Sequence, residues 1–363
     1  MSKKTTIGLF LAALTATACQ KEANHYDATS EYFTYMGRTI TVTDLTEGPE
    51  VRFNYPGSSI YTQFTGNKIE IQMRPGSGSF MVTIDDNTPK RIEFDENTSS
   101  ITIDSIVGEE PHKLSIMLAT EGYEHNPTFY GLNVDGELST YTLPETKLLF
   151  IGNSITCGYG VEDSIPSNPF NYLTENHYHS YAAITARTIG AQWHSISRSG
   201  IGIYRNYGDV REGSQICMRQ QFHRTLFDNE SFKWDHSTYQ PDVIMLNLGT
   251  NDTSLDNYDK ELLQSGYDEF VDTLRQLFPT SKIVLLTGSM LNGQALVDVK
   301  DCLDNTCKRC NDNGDNDVYR FDMTPQNGNL GFGADYHPSM KQQQKMADEL
   351  ISFLNNNILT SKN

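Results

Sequence analysis

Apolar and polar residues alternate with a period of two between about Tyr32 and Thr140. The alternation occurs in six short segments, at 60–64, 69–73, 80–84, 92–94, 101–103 and 114–118. Turn-forming residues lie between them, as in Arg-Pro-Gly-Ser-Gly at 74–78 and Asp-Asp-Asn-Thr-Pro at 85–89. Short alternating strands separated by such turns are typical of antiparallel sandwiches. We therefore predict an all-β sandwich over residues 32–143, and because it shows no nucleophile–base pair we expect it to have a packing or binding role.

A different pattern begins at Lys147. Continuous apolar runs occupy 148–151, 193–196, 243–246 and 283–286, and segments of helical periodicity occupy 181–189, 267–278 and 340–357. Buried strands that alternate with helices predict a parallel sheet covered on both faces. The sequence thus predicts an α/β domain over residues 147–363, joined to the sandwich near Leu143-Pro-Glu-Thr146.

The first residues carry the features of an export signal. Lys3 and Lys4 precede an apolar run at 7–14, which is too short for a permanent membrane span, and small residues lead to Cys19. The segment 1–19 resembles a bacterial lipoprotein signal, with lipidation at Cys19 and a polar tether over 20–31. We expect an exported protein anchored by lipid in the periplasm or on the cell surface; plain secretion is the alternative.

The negative net charge of the chain limits the classes of molecule that it is expected to bind. The formal net charge is −18 and the hydrophobic content is 37%, as in an ordinary globular protein. Without a basic surface to neutralise phosphates, a nucleic-acid partner is excluded, and a neutral substrate is favoured over a polyanionic one.

Polar residues follow the predicted strands at points where chemistry is expected. Three of these segments follow strands: Gly-Asn-Ser at 152–154, Ser-Arg-Ser-Gly at 197–200 and Gly-Thr-Asn at 249–251. A fourth segment, Asp-Tyr-His at 335–337, precedes the last helix. In a doubly wound sheet the carboxyl ends of the strands meet at one crevice. These residues are therefore expected to be neighbours.

Together they supply the parts of a serine hydrolase. Ser154 is the candidate nucleophile, His337 the base that accepts its proton, and Asp335 the group that orients the imidazole. The backbone N–H groups of Ser154 and Gly200 and the side-chain amide of Asn251 are candidate oxyanion donors. Taken singly, Ser154 fits a helix N-cap, His337 a loop histidine and Asn251 a turn residue.

These four blocks, in this order, resemble those of the SGNH (GDSL-type) hydrolases, a resemblance that covers Lys147 to the C-terminus. It implies a flavodoxin-like parallel-sheet domain in which the matching residues hold the roles given above: Ser154, Gly200, Asn251, Asp335 and His337. It also implies that no metal or organic cofactor is required.

The longer string Phe-Ile-Gly-Asn-Ser-Ile-Thr-Cys-Gly-Tyr-Gly at 150–160 and the preceding β-rich domain are similar to carbohydrate esterase family 2. In that family a jelly-roll domain precedes the SGNH domain, and members remove acetyl groups from plant polysaccharides such as xylan and glucomannan. The resemblance implies an esterase that acts on acetylated poly- or oligosaccharide through an acyl-enzyme. The rival hypotheses are an SGNH lipase or thioesterase for longer acyl chains, and a glycan-binding surface lipoprotein without catalysis.

One residue departs from the family pattern, and the role of a second is open. Asn153 stands where aspartate usually precedes the nucleophile, and we expect this to alter the support of the loop more than the reaction. Some members use a Ser–His pair without a strong acid contact, so His337→Ala is expected to abolish turnover while Asp335→Ala leaves a measurable remainder.

The remaining candidates are weaker. Tyr159 and Glu175 could border the cleft, and Trp234 could stack on a sugar ring, although core packing fits Trp234 somewhat better. Three further segments invite a metal interpretation: His177 and His179, the cysteines at 302, 307 and 310, and the Asp/Asn-rich stretch 312–317. We expect a surface loop, a local disulfide and a solvated turn respectively, because the cysteines lack a fourth ligand and the acidic stretch fails the EF-hand spacing.

Overall fold

The structure is a computed structural model that describes residues 23–43, 46, 48–123 and 125–359. The predicted signal peptide, the lipidation site Cys19 and the start of the predicted tether lie outside the described residues. No helix in the described part of the chain has both the length and the apolar character needed to cross a membrane.

The N-terminal domain is a sandwich of two antiparallel sheets with six strands each. The first has the order β3-β4-β11-β6-β9 with β1 on β11, and the second the order β12-β5-β10-β7-β8 with β2 on β5. The bounds are β1 Asn24–Asp27, β2 Thr34–Met36, β3 Ile40–Val42, β4 Glu50–Arg52, β5 Ser59–Phe64, β6 Ile69–Met73, β7 Gly78–Ile84, β8 Lys90–Phe94, β9 Ser100–Ile103, β10 His112–Leu118, β11 Thr128–Val134 and β12 Leu138–Ser139.

The alternating positions face the sandwich core, as predicted. Ile60 and Phe64 of β5, Phe80 of β7 and Phe94 of β8 are at most 1% exposed and belong to one hydrophobic cluster. Burying each such side chain stabilises the fold by roughly 1.5–3 kcal/mol.

Strand β1 corrects the predicted tether. Its residues pair with β11 in an antiparallel register from Asn24↔Val134 to Asp27↔Gly131. The polar sequence gave no signal for this strand because none of its four residues is buried. The folded domain therefore includes β1 and does not begin at Tyr32.

The C-terminal domain is a five-stranded parallel sheet with the order β14-β13-β17-β18-β19. Its strands are β13 Lys147–Gly152, β14 Gln192–Ser197, β17 Val243–Asn247, β18 Lys282–Thr287 and β19 Val318–Asp322; the hairpin β15 Arg224–Leu226 and β16 Asn229–Lys233 stands apart. The helices are α1 Ser154–Cys157, α2 Tyr181–Thr188, α3 Met218–Gln221, α4 Lys260–Leu277, α5 Gly293–Asp312 and α6 Met340–Asn357. From β13 the chain adds β14 on one side and then β17, β18 and β19 on the other. This switch point between β13 and β17 places a ligand crevice at the carboxyl ends of these two strands.

Helix α5 corrects the expected disulfide. Cys302, Cys307 and Cys310 all lie on this helix, and all five cysteines of the described residues are free. Two of the thiols face different neighbours: Cys307 Sγ lies 3.2 Å from the carbonyl of Val318, and Cys302 Sγ lies 3.8 Å from that of Lys260. The expectation of a local disulfide was therefore wrong.

The two domains pack against each other through buried polar contacts. Arg38 of the sandwich is 2% exposed, and its guanidinium donates to the carbonyls of Phe222 and Arg224, at 2.6 Å each. The N–H of His177 donates to the carbonyl of Ala119, directly after β10, at 2.7 Å. The sandwich thus reaches the segment that follows the nucleophile.

Candidate functional site

Ser154 stands at the first position of α1, directly after β13. The residue that caps this helix is Asn153, whose Oδ1 accepts a hydrogen bond from the N–H of Ile155 at 3.1 Å. The helix ends after one turn at Gly158, which has a left-handed φ of 85°. The Ser154 hydroxyl therefore does not cap the helix, and the alternative interpretation of Ser154 as an N-cap is wrong.

The hydroxyl of Ser154 contacts the imidazole of His337. The distance between Ser154 Oγ and His337 Nε2 is 2.8 Å. On the other side of the ring, Nδ1 lies 3.1 Å from the main-chain carbonyl oxygen of Asp335. Because a carbonyl can only accept, Nδ1 carries the proton and Nε2 is left as the acceptor for the serine O–H.

The contact of Asp335 with His337 differs from the expected one. Its carboxylate makes no hydrogen bond to the imidazole in the described structure, and the side chain is exposed. The backbone at Asp335 has a left-handed φ of 50°, which turns its carbonyl toward the ring. Asp335 therefore orients the base through its main chain, which corrects the expected carboxylate contact.

Burial sets the protonation state of His337. It lowers the pKa of the imidazole to about 4, against the opposing effects of the Asp335 charge and carbonyl. The ring is therefore neutral at and above pH 5, which is the state a general base requires.

Several contacts join the loop of His337 to the loop of Ser154. The N–H of Ala334 donates to the carbonyl of Gly160 at 3.0 Å. From α6, the Gln343 side chain donates to the carbonyl of Ile155 at 2.9 Å and accepts from the N–H of Tyr181 at 2.8 Å. These contacts hold together two residues that are 183 positions apart in the chain.

Tyr159, a candidate for substrate contact, lies beside the base. Its ring stacks on that of His337 with the centroids 4.0 Å apart and an angle of 24°. Burial, together with the charge of Asp335, raises the pKa of the Tyr159 hydroxyl to about 12. Tyr159 therefore stays neutral and covers one face of the imidazole.

The predicted oxyanion donors lie on the loops that follow β14 and β17, the two strands that flank β13. Gly200 has a φ of 76°, although a Cβ there would meet nothing within 4 Å, so glycine is required by conformation rather than by space. The side-chain amide of Asn251 donates to the carbonyl of Ile201 at 2.8 Å, which ties it to the Gly200 loop and leaves its second N–H for an oxyanion.

Asp252 is a supporting residue that the sequence analysis missed. Its buried carboxylate accepts hydrogen bonds from the N–H groups of Ile203, Tyr204 and Arg205, at 2.8–3.0 Å, and from Gly249 at 3.1 Å. Burial raises its pKa, against the lowering effect of these donors. The side chain thereby joins the loops that carry Gly200 and Asn251.

Two weaker candidates have packing positions, contrary to the cleft position expected for Glu175 and in line with the packing favoured for Trp234. Glu175 is fully buried and its Oε2 accepts from the N–H of Glu121 at 3.3 Å, so it cannot contact a substrate at the surface. The Trp234 ring packs near the Arg38 guanidinium, at 5.2 Å, and near the His194 ring, at 5.9 Å. Both residues belong to the packing between the two domains.

One group of potential metal ligands occurs among the described residues. Donor atoms of Glu121, Cys157 and Glu175 lie within 4.8 Å of one another, and all three residues are buried. Burial raises the pKa of both carboxyl groups and of the thiol. A cation site would require these groups to lose their protons, so this cluster is a poor fit to a metal ion.

Comparison with known proteins agrees with this architecture. Residues 35–144 match the family model described as carbohydrate esterase 2 N-terminal, and residues 150–345 match that of the GDSL-like lipase/acylhydrolase family.

Three relatives cover most of the chain. The cellulase/esterase CelE of Acetivibrio thermocellus is 32% identical over 86% of this chain, which spans 38% of the length of that relative. An acetylxylan esterase/glucomannan deacetylase of Cellvibrio japonicus is 28% identical, with 94% of this chain and 93% of the relative covered. The structure of a family two carbohydrate esterase from Clostridium thermocellum, in complex with cellohexaose, has a TM-score of 0.82 and 31% identity, covering 90% of this chain and 99% of that one. The chain therefore belongs to carbohydrate esterase family 2, whose members are carboxylic ester hydrolases of the GDSL type.

Proposed function

We propose that this chain removes acetyl groups from acetylated poly- or oligosaccharide through an acyl-enzyme on Ser154. The observation that carries the proposal is the 2.8 Å contact between Ser154 Oγ and His337 Nε2. A neutral imidazole at that distance can take the hydroxyl proton as the oxygen attacks an ester carbonyl.

The reaction follows from this geometry. Ser154 Oγ bonds to the acetyl carbon while its proton moves to His337 Nε2. The Asp335 carbonyl keeps the proton on Nδ1 throughout, and the exposed Asp335 carboxylate favours the imidazolium. The oxyanion accepts from the N–H groups of Ser154 and Gly200 and from Asn251.

When this intermediate collapses, the sugar oxygen leaves and takes the proton from His337 Nε2. Water then attacks the acetyl-serine with the same residues acting in reverse, and acetate is released with Ser154 restored. Every proton in this sequence is carried by groups of the chain or by water, so the proposal needs no cofactor.

The substrate class is supported by the relatives and by charge. One relative is named for acetylxylan and glucomannan, and the related Clostridium structure is in complex with cellohexaose. With a net charge of −18, the chain suits neutral glycans better than polyanionic ones.

The test is acetate release from acetylated xylan, glucomannan and pectin, with Ser154→Ala as the control. We expect release from at least one neutral polysaccharide and none with the variant. A chain-length series of 4-nitrophenyl esters accompanies it, and we expect acetate to be preferred strongly over octanoate. The opposite preference would favour a lipase or thioesterase, and glycan binding without release of acetate would favour a binding protein.

Export and lipid anchoring at Cys19 form part of the proposal and are supported by the sequence of residues 1–19 alone. Metabolic labelling with a radioactive fatty acid in a bacterial host tests them, with Cys19→Ala as the control. We expect label in the membrane fraction for the parent protein and none for the variant; label-free protein in the medium would instead indicate plain secretion.

A further inference from the structure

Glu121 of the sandwich domain reaches the oxyanion loop of the catalytic domain. It lies three residues after the end of β10 and is 3% exposed. One carboxylate oxygen accepts from the N–H of Ser199 at 2.7 Å, and the other accepts from the Ser199 hydroxyl. A single side chain therefore holds Ser199 by both its main chain and its side chain.

The contact with Ser199 bears on the oxyanion site because of where Ser199 lies in the chain. Ser199 directly precedes Gly200, so the peptide that joins them carries the predicted oxyanion N–H. On the far side, the Gly200 carbonyl accepts from the N–H of Tyr207 at 2.9 Å. Because glycine restricts its own backbone little, the direction of this N–H depends on contacts to its neighbours, of which Glu121 holds the residue before it.

A second buried carboxyl group, that of Glu175, leaves Glu121 ionised, so that both oxygens of Glu121 can accept hydrogen bonds. Glu175 Oε2 accepts from the N–H of Glu121, while Glu175 Oε1 is buried without a hydrogen-bond partner. Two neighbouring buried carboxyl groups do not both ionise readily. Burial raises the pKa of both carboxyl groups. The two donors from Ser199 offset this effect for Glu121, whereas the charge of Glu121 raises the pKa of Glu175 further, so the proton resides on Glu175.

The other groups near the pair leave this assignment in place. Arg91 donates to the main-chain carbonyl of Glu175 at 3.0 Å, and the charge of Arg198 lowers the pKa of Glu121, against the larger raising effect of burial. The thiol of Cys157 stays protonated because burial raises its pKa.

We propose that Glu121 is a positioning residue for ester hydrolysis, which holds Ser199 so that the Gly200 N–H points at the oxyanion. The sandwich domain thereby completes the catalytic site of its neighbour. This inference rests on the proposed function only in requiring ester hydrolysis at Ser154.

The experiment compares Glu121→Ala, Glu121→Gln and Ser199→Ala with the wild type on 4-nitrophenyl acetate. Active sites are titrated with a fluorophosphonate that labels Ser154, so that kcat refers only to competent enzyme. The matched control is Asp228→Ala, which breaks another contact between the domains, the 2.7 Å hydrogen bond from Asn54, without touching the oxyanion loop.

We expect Glu121→Ala to lower kcat per titrated site at least about 10-fold, with KM changed less than about 3-fold; outright loss of an oxyanion donor costs about 10²- to 10³-fold. Glu121→Gln should fall between this variant and the wild type, because an amide oxygen can still accept from one Ser199 donor. Adding Ser199→Ala to Glu121→Ala should cause little further loss, since both act through one contact. Asp228→Ala should stay within about 2-fold of the wild type.

The proposal is overturned if kcat per site in Glu121→Ala stays within about 2-fold of the wild type, or if Asp228→Ala loses as much. It is also overturned if the loss lies only in KM or in the titrated fraction, as a merely structural role predicts. Should Glu121→Ala fail to fold, unchanged kcat in both Glu121→Gln and Ser199→Ala overturns it as well. A wild type without activity on acetyl esters would reject the proposed function itself, which separates the two failures.

Discussion

Replacing Asp335 with asparagine separates the charge of this residue from its main-chain role. The hydrogen bond that fixes the tautomer of His337 comes from the Asp335 carbonyl, and it remains in any variant that keeps the backbone. Asparagine tolerates the left-handed φ of 50° nearly as well as aspartate, whereas alanine adds strain there. Asp335→Asn is therefore the cleaner test, and Asp335→Ala combines two effects.

The expected loss follows from what the carboxylate contributes. In a serine protease triad, where the carboxylate itself holds the imidazole, Asp→Asn lowers kcat about 10⁴-fold. Here the exposed carboxylate does not hold the ring, and its charge acts on the imidazolium, an interaction worth about 0.2–1 kcal/mol. That energy corresponds to a loss of about 1.4- to 5-fold in kcat/KM.

The assay is the pH profile of kcat/KM on 4-nitrophenyl acetate, normalised to titrated active sites. The Asp335 charge raises the pKa of His337, so its removal should move the acid limb to lower pH while the plateau falls only slightly. Asp335→Ala should lose somewhat more than Asp335→Asn because of its strained backbone. A loss of about 10³-fold or more in a folded Asp335→Asn protein would refute the main-chain assignment and restore a triad.

Further predictions concern the base and the buried carboxyl groups. His337→Ala should lower kcat by about 10⁴-fold or more, measured on the same ester, and a folded variant with substantial turnover would remove the base. In the wild type, kcat/KM should stay level down to about pH 5 and fall through a pKa of about 4, because burial disfavours the charged ring; an acid limb near pH 6.5 would contradict this. Asp252→Ala should lower the free energy of unfolding by about 3 kcal/mol or more in urea titrations, since four N–H groups lose their acceptor, and a loss below about 1 kcal/mol would count against the role of Asp252. Burial and the charge of Glu121 raise the pKa of Glu175 in the folded chain, so the contribution of Glu175 to stability is lost as the pH rises above its ordinary value of 4.5; Glu175→Gln should remove this pH-dependent loss and gain on the wild type as the pH rises. A stability difference that does not change with pH would mean that Glu175 is ionised.

The sequence predicted the elements whose pattern is local. Strands β5 to β10 were recognised from their alternation, and β13, β14, β17 and β18 from continuous apolar runs. The meeting of Ser154 with His337 was predicted because the carboxyl ends of parallel strands share one edge.

Elements whose pattern is weak or interrupted were not recognised. Strand β11 contains Gly131 at a register shift, which breaks its alternation, and β19 lies at the edge of the sheet with mostly intermediate burial. Helix α5 is rich in Asp and Asn, which are poor helix formers, and its cysteines suggested a disulfide instead.

Roles that depend on contacts distant in sequence could not be found from spacing. Glu121 and Ser199 are 78 positions apart, and no local pattern joins a sandwich residue to a catalytic loop. The difference between a carboxylate and a carbonyl contact at Asp335 depends on two backbone angles, which the residue type does not determine.

Asn153, the residue that departs from the family pattern, can be understood from its hydrogen bonds. The structure uses one oxygen of this side chain, the Oδ1 that accepts from the N–H of Ile155, while Nδ2 is buried without a partner. An aspartate offers the same oxygen, so both residues can begin α1 and present Ser154 at its first position. They differ in a buried negative charge beside the nucleophile, which would oppose the developing oxyanion and favour the imidazolium. Asparagine removes both effects and keeps the cap, so the change alters the electrostatics and support of the loop and leaves the Ser154–His337 pair intact.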